Sequence, residues 1–242
     1  MKEVSIEVLV FEGCPHAAAA LALAEAVATR LGPGVVVQRV DVDTSAKAAA
    51  LGFAGSPSLR VEGQDVEGPL EAPGVLCCRT YEGGAGVPPE WMVEAAVCRA
   101  QRRQGYLFLC VANSARSQIA EGLARSLAPA GVTVMSAGSQ PTRVRPEAIA
   151  VLAEVGIDIG GQRSKDVAEI PAAEVDTVIT LCGEEECPIF LGAAARLHWG
   201  LPDPAGAGGD TAARLAAFRA TRDELRRRIG ALFAVPQEGE MA

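Results

Sequence analysis

The sequence predicts an α/β protein built from two successive α/β units, a small sheet-and-helix sandwich followed by a parallel sheet wound with helices. Three observations carry this. Short β-rich apolar runs alternate with longer stretches of helical spacing along most of the chain. A second strand–helix series opens at Gly105, just after a helical stretch ends. The length, 242 residues, exceeds the roughly 150 residues of a typical domain, so one or two domains are expected. The boundary is placed near residue 104, giving units of 1–103 and 104–242.

In the first unit, Val4 to Val10 reads as a strand and the Ala/Leu-rich stretch Pro15 to Leu31 as a helix. Gly34 to Val42 is a second strand and Ser45 to Leu51 a short helix. Ser58 to Val61 is a third strand, followed by a turn at Gly63-Gln64 and a fourth strand near Val75 to Tyr81. Pro88-Pro89-Glu90 starts a helix running to about Arg103, with proline in the first turn, where a missing N–H costs nothing. The second unit places strands at Tyr106–Leu109, Val132–Ser136, Thr177–Leu181 and Arg196–Trp199. Helices are expected at Ser117–Leu127, Pro146–Glu154 and Asp210–Leu232, the last supported by Asp223 and Glu224 four residues before Arg227 and Arg228. Strands alternating with helices imply a parallel sheet with helices on both faces.

Composition removes several function classes. Acidic residues outnumber basic ones 30 to 22, for a net charge of -8, and only Phe 6, Trp 2 and Tyr 2 supply aromatic rings. A nucleic-acid binder needs a basic surface and stacking rings, so that class is set aside. Arg102-Arg103 and Arg226-Arg227-Arg228 read as solvated helix faces. The seven cysteines are an odd number, which argues against a secreted disulfide framework. The start, Met1-Lys2-Glu3-Val4-Ser5, lacks a signal-peptide layout, and the run Ala17 to Ala28 is broken by Glu25. A cytoplasmic protein with no membrane span is expected, and in that compartment cysteines tend to be catalytic or redox-active.

The most informative segment is Leu109-Cys110-Val111-Ala112-Asn113-Ser114-Ala115-Arg116-Ser117. A strand ends at Cys110, the small residues Val111, Ala112, Asn113, Ser114 and Ala115 follow, and Arg116-Ser117 begins a helix. This layout turns successive backbone N–H groups inward at a helix N-terminus, which suits a tetrahedral oxyanion. Arg116 adds a guanidinium fork. The same positive field stabilises a thiolate at Cys110, making it the candidate nucleophile, with Ser117 placed to donate a hydrogen bond to the sulfur. The bland alternative is a strand-end cysteine packed beside a surface arginine.

The segment resembles the active-site loop of low-molecular-weight tyrosine phosphatases and of the arsenate reductases that share their fold. The resemblance runs from about Gly105 to Leu232. It includes Ser117-Gln118-Ile119-Ala120-Glu121-Gly122, Ser136-Ala137-Gly138, Gly156-Ile157-Asp158-Ile159, Thr180-Leu181-Cys182 and Leu201-Pro202-Asp203-Pro204-Ala205. It implies a low-molecular-weight phosphatase-like fold for the second unit. Two features favour the reductase branch over a phosphatase. Reduction of arsenic(V) needs a second sulfur, and Cys182 and Cys187 supply sulfurs. Asp203-Pro204 is followed by Ala205-Gly206 rather than by the aromatics that grip a phenyl ring.

The resemblance implies attack by Cys110 on arsenate with Asp203 as the acid, then attack by Cys182 on Cys110 with release of arsenite. Transfer of the disulfide to Cys182–Cys187 follows, and thioredoxin or another external thiol reductant reopens it. Thioredoxin-coupled members often have six residues between the last two cysteines, whereas this chain has four. No tightly bound cofactor is implied. Positions matching Asn113, Glu121, Ser136, Ser164 and Asp166 surround a monovalent cation such as potassium in reductases of this kind, with ordinary loop hydrogen bonding as the alternative. Asn113 is also expected to hold a left-handed turn, and Arg163 and Lys165 to steer the anion or simply be solvated. A zinc site lacks a ligand set. Two other functions stay open: a tyrosine phosphatase, and a non-enzymatic thiol sensor of metalloids or redox state.

In the first unit, Phe11-Glu12-Gly13-Cys14-Pro15-His16-Ala17 follows the first strand and opens the first helix. It resembles a thioredoxin-like redox site, and Gly55-Ser56-Pro57 resembles that fold's cis-proline loop. The second cysteine of a Cys-x-x-Cys is replaced by Ala17, so Cys77 or Cys78 on the expected fourth strand is the candidate partner thiol. His16 could tune Cys14. Three roles are open: electron donor to the second unit, soft-metalloid binder, or redox-dead docking module. Cys98 is expected to be core packing.

Overall fold

The computed structural model describes residues 3–70, 74–183, 190, 192 and 194–234. It divides into two compact units, the first ending at Arg102 and the second spanning Arg103–Phe233.

The first unit has a four-stranded mixed sheet of order β2-β1-β3-β4. Strand β1 (Val4–Val10) is joined through helix α1 (Ala17–Leu31) to β2 (Val35–Asp41), which runs parallel to it. A helix-length connection is what allows this parallel pairing. Helix α2 (Ser45–Ala50) leads to β3 (Ser58–Val61), antiparallel to β1, and a tight turn closes β4 (Gln64–Asp65). Helix α3 (Glu90–Ala100) ends the unit. Alanine and leucine at helical spacing give α1 its buried stripe of Ala20, Ala24, Val27 and Leu31. On β1, Leu9 joins Val42, Ala48 and Phe53 in a core cluster with α2.

The fourth strand is not where the sequence suggested. The hairpin partner of β3 is Gln64–Asp65, and Val75 to Tyr81 forms no strand beyond one isolated bridge between Ser56 and Cys78. The reason is ionic. Arg79 is buried and donates to both carboxylate oxygens of Asp65 at 2.6 and 2.8 Å, to Glu67 at 2.7 Å and to Ser58 Oγ at 3.0 Å. Its guanidinium also lies 4.4 Å over the Tyr81 ring. A segment tied down by a buried guanidinium stays where its carboxylates are, rather than extending the ladder. The peptide bond between Ser56 and Pro57 is cis.

The second unit has the order β6-β5-β7-β8 with every pair parallel. Its strands are β5 (Gly105–Leu109), β6 (Thr133–Ala137), β7 (Thr177–Cys182) and β8 (Ala195–Leu201). Its helices are α4 (Arg116–Leu127), α5 (Pro146–Ala153) and α6 (Thr211–Phe233). All residues of β5 are buried, as a central parallel strand requires. On one face, the Tyr106 ring meets Phe233 of α6 edge-on at 5.3 Å. On the other, Leu107, Leu109, Ala137 and Val178 form a core with Ile170, Val175 and Phe190. That face is therefore covered, among the described residues, by segments around the 3₁₀ turns Val167–Glu169 and Ala172–Glu174 rather than by the expected α-helices. Asp166 caps Val167–Glu169 through its side chain, and Pro171 directly precedes Ala172–Glu174 without capping it.

On α6, Glu224 takes both expected partners, Arg227 at 2.8 Å and Arg228 at 2.6 Å. Asp223 turns back to Arg222 instead.

Candidate active site

Strand β5 ends at Leu109, and the chain from Cys110 to Ala115 curls over its end before α4 begins. Three loop carbonyls point outward and are held by a distant segment. Gln140 N–H donates to Val111 O at 3.0 Å, Thr142 N–H to Ala112 O at 3.1 Å, and Arg145 N–H to Ser114 O at 2.9 Å. Among the described residues, no hydrogen bond engages the amides of Val111 to Ala115. A loop whose carbonyls are bound outside leaves its amides for the inside, which is the arrangement that holds an oxyanion. The loop sits close on Gly138 at the end of β6. A Cβ there would fall 2.3 Å from Val111 O and 2.8 Å from Asn113 N, so only glycine lets the curl close.

Asn113 is the interior pin. Its φ of +43° is left-handed, a conformation that asparagine tolerates better than most residues. Nδ2 donates to Ser117 Oγ and Ser136 Oγ, both at 2.8 Å. Oδ1 accepts from Gln118 Nε2 at 2.9 Å and from the Lys165 amide at 2.8 Å. Ser117 Oγ in turn lies 2.9 Å from Cys110 Sγ. With Asn113 already donating to it, the Ser117 oxygen has its own proton to give to the sulfur.

Cys110, Val111, Ala112, Ser114, Ala115, Arg116 and Asp203 line a cavity of about 240 Å³. The volume suits an inorganic oxyanion. Arg116 is buried, and its Nη1 donates to Leu201 O at 3.0 Å and Leu181 O at 3.4 Å. Its Nη2 stands 3.7 Å from Asp203 Oδ1. The guanidinium is thus held by the ends of β7 and β8 at the cavity wall. Asp203 also caps the 3₁₀ turn Pro204–Gly206. Cys182 closes β7 and is buried. Strand β7 lies beside β5 with Leu109 opposite Thr180, so Cys182 stands one residue beyond the level of Cys110, across a strand spacing of roughly 4.8 Å. Cys187 lies outside the described residues.

The proposed cation cluster is only partly assembled. Glu121 is buried and accepts a short hydrogen bond from Ser136 Oγ. It is also met by Lys165 Nζ at 3.1 Å and Arg125 Nη2 at 2.6 Å. Ser164 Oγ donates to Asn113 O at 2.6 Å, while Asp166 caps its own 3₁₀ turn through Ala168 N–H. The carboxylate at the centre therefore already has side-chain cations, and the set does not fit a potassium ion. Lys165 is taken up in this way, while Arg163 is exposed, as the solvated alternative has it, and pairs with Glu169 at 2.7 Å. Among the described residues no group of His, Cys, Asp and Glu side chains converges to hold a metal ion.

One residue went unnoticed in the sequence. His198 on β8 has its Nδ1 2.8 Å from Thr180 Oγ1, whose hydroxyl donates to Leu197 O at 3.2 Å. The ring thus meets the hydroxyl through Nδ1, which leaves Nε2 on its other edge. A Cβ on Gly200 would lie 2.9 Å from that Nε2 and 3.1 Å from Cys182 O. The structure places an imidazole beside the strand end that carries Cys182. The only sequence signal was a histidine in a unit with no other.

In the first unit, Cys14 is half-buried in the turn before α1, Cys77 is half-buried and Cys78 exposed. Cys98 is buried in α3, as core packing predicts. The exposed His16 stands beside Gly86, where a Cβ would meet its ring at 2.5 Å.

The low molecular weight phosphotyrosine protein phosphatase family matches residues 106–240. An arsenate reductase of Halalkalibacterium halodurans is 40% identical over 124 residues, covering 50% of this chain and 89% of that protein. A glutaredoxin arsenate reductase of Synechocystis sp. is 38% identical over 133 residues, covering 53% of this chain and 95% of that protein. A solved structure titled "An arsenate reductase in the phosphate binding state" has a TM-score of 0.48 at 37% identity, covering 55% of this chain and 98% of that one.

Proposed function

The chain belongs to the low molecular weight phosphotyrosine protein phosphatase family, and from that premise we propose that its second unit reduces arsenate to arsenite through Cys110 and a cysteine relay. The observation that carries this is the position of Cys182, at the end of the strand next to the one that delivers Cys110. A phosphatase has no use for a second sulfur there. The 240 Å³ cavity and the arsenate reductases among the relatives support it.

The loop amides and Arg116 hold the arsenate oxygens. Ser117 stabilises the Cys110 thiolate, which forms a bond to arsenic as an arsenate hydroxyl leaves as water on a proton from Asp203. The Cys182 thiolate then attacks Cys110 Sγ. The sulfur–arsenic bonding pair goes to arsenic, which leaves as arsenite in the trivalent state, and a Cys110–Cys182 disulfide remains. Cys187 attacks Cys182 and frees Cys110, and an external dithiol such as thioredoxin, or glutathione with glutaredoxin, reopens the last disulfide. A potassium ion is no part of this scheme, because Lys165 and Arg125 already meet Glu121. Re-reduction after each turnover suits a reducing compartment, the cytoplasm. Among the described residues no helix is long and apolar enough to cross a membrane.

The deciding assay follows arsenite formation with thioredoxin, with glutathione and glutaredoxin, or with neither. Cys110→Ser should abolish it, and Cys182→Ser should abolish it while sparing any p-nitrophenyl phosphate turnover. Phosphatase activity with no arsenite from any reductant would overturn the proposal in favour of a phosphatase.

A further inference from the structure

We propose that Cys14 and Cys78 form a second dithiol–disulfide couple, which takes up the oxidising equivalents that arsenate reduction leaves in the second unit. The inference rests on the reductase reading for its electron acceptor, but the couple itself is argued from the first unit alone.

Ser56 holds both thiol-bearing segments. Its Oγ accepts from Phe11 N–H at 3.3 Å, and Phe11 O accepts in turn from Cys14 N–H at 3.3 Å. Its main chain pairs with the other segment: Ser56 N–H donates to Cys77 O at 2.8 Å, and Arg79 N–H to Ser56 O at 3.0 Å. These bonds make Ser56 and Cys78 bridge partners. Directly bridged residues share a face, and consecutive residues of an extended segment alternate faces. Cys78 therefore lies on the face of the Ser56 side chain, whose Oγ reaches the Phe11 amide at the start of the Cys14 turn, and Cys77 lies on the opposite one.

The approach is built and not incidental. Gly55 has φ +108°, and a Cβ there would fall 3.0 Å from Arg79 Cβ and 3.2 Å from Cys77 O. Arg79, next to Cys78, is locked by Asp65 and Glu67, and Tyr81 O–H donates to Pro57 O at 3.0 Å. An exposed thiol rooted in a buried ionic anchor is held in place while remaining open to attack. The missing second cysteine of a Cys-x-x-Cys is thus supplied across the fold.

The electrons balance without a further reagent. The Cys14 thiolate attacks the disulfide left in a second unit, of the same or another chain, forming a mixed disulfide and expelling one thiolate. The Cys78 thiolate attacks Cys14 Sγ, forming Cys14–Cys78 and expelling the other. Two electrons pass, and the protons of Cys14 and Cys78 end on the regenerated thiols.

The test counts arsenite. Fully reduced full-length protein, freed of reductant, is given excess arsenate. Wild type and Cys77→Ser should each yield two arsenites per chain, and Cys14→Ser and Cys78→Ser one. Non-reducing peptide mass spectrometry of the spent wild type should show residues 14 and 78 cross-linked. One arsenite from wild type, two from Cys14→Ser, or a loss that follows Cys77→Ser would each overturn the proposal. No arsenite from any protein would sink the reductase reading and this electron route together. Peptide mapping after titration with glutathione disulfide would then still report whether the Cys14–Cys78 bond forms.

Discussion

Ser117 Oγ lies 2.9 Å from Cys110 Sγ while receiving Asn113 Nδ2 at 2.8 Å. The second bond takes up a lone pair of the serine oxygen and leaves its proton available to a thiolate at Cys110. A hydrogen bond to a charged group contributes about 1.5–3 kcal/mol, at least tenfold in a rate that depends on the thiolate. Ser117→Ala should therefore slow alkylation of Cys110 by iodoacetamide near neutral pH, and arsenite formation with it, about tenfold or more. Equal alkylation rates across the pH range would mean that the hydroxyl does not serve the sulfur.

Asn113 combines a left-handed backbone with side-chain bonds to Ser117, Ser136, Gln118 and the Lys165 amide. Glycine and alanine remove the same bonds, but only alanine adds the left-handed penalty of roughly 1–2 kcal/mol. Both variants should melt below wild type, and Asn113→Ala below Asn113→Gly by about 1 kcal/mol in denaturant titration. The reverse order would show that the backbone angle is not what this position serves.

What the sequence made legible was local. Cys110, the small loop residues and Arg116-Ser117 lie on one strand–loop–helix segment, so their arrangement follows from short-range geometry. The outward carbonyls could not be foreseen, because their donors at Gln140, Thr142 and Arg145 come from a separate connection. The same holds for Lys165 on Glu121, 44 residues away in sequence, which turned an expected cation site into an internal ion pair. Val75 to Tyr81 carries β-forming residues and reads as a strand. Only the burial of Arg79 against Asp65 reveals why the hairpin closes elsewhere. His198 is silent in sequence for the same reason, since its partner Thr180 sits on the neighbouring strand.

The Glu121 cluster gives a stability prediction. With Lys165 and Arg125 both on its carboxylate, replacing potassium by choline at constant ionic strength should leave melting temperature and arsenite formation unchanged. Lys165→Met removes one cation from a buried carboxylate and should destabilise the unit by on the order of 1–3 kcal/mol. A melting temperature that tracks potassium in the wild type would show that the internal cations do not suffice.

The clamp between α5 and α6 should release in acid. Glu154, just past α5, accepts from Arg219 Nη2 at 2.6 Å and Nε at 3.0 Å, and from Arg222 Nη1 at 2.8 Å. The Arg219 hydrogen bond, more than any other influence, holds the Glu154 carboxyl down from 4.5 to about 2. A carboxyl depressed by folding contributes stability that is fully present above its unfolded value and is lost as pH falls through its folded value. The stability gap between wild type and Glu154→Gln should thus be constant from neutral pH to about 5.5. It should then shrink as the pH falls from near 4.5 towards about 2. Because the carboxylate faces solvent, added salt should narrow the gap at neutral pH as well. Urea titrations of both proteins across this range would measure it. A gap that persists undiminished at the lowest pH would assign the clamp to packing of the side chains and not to their charge.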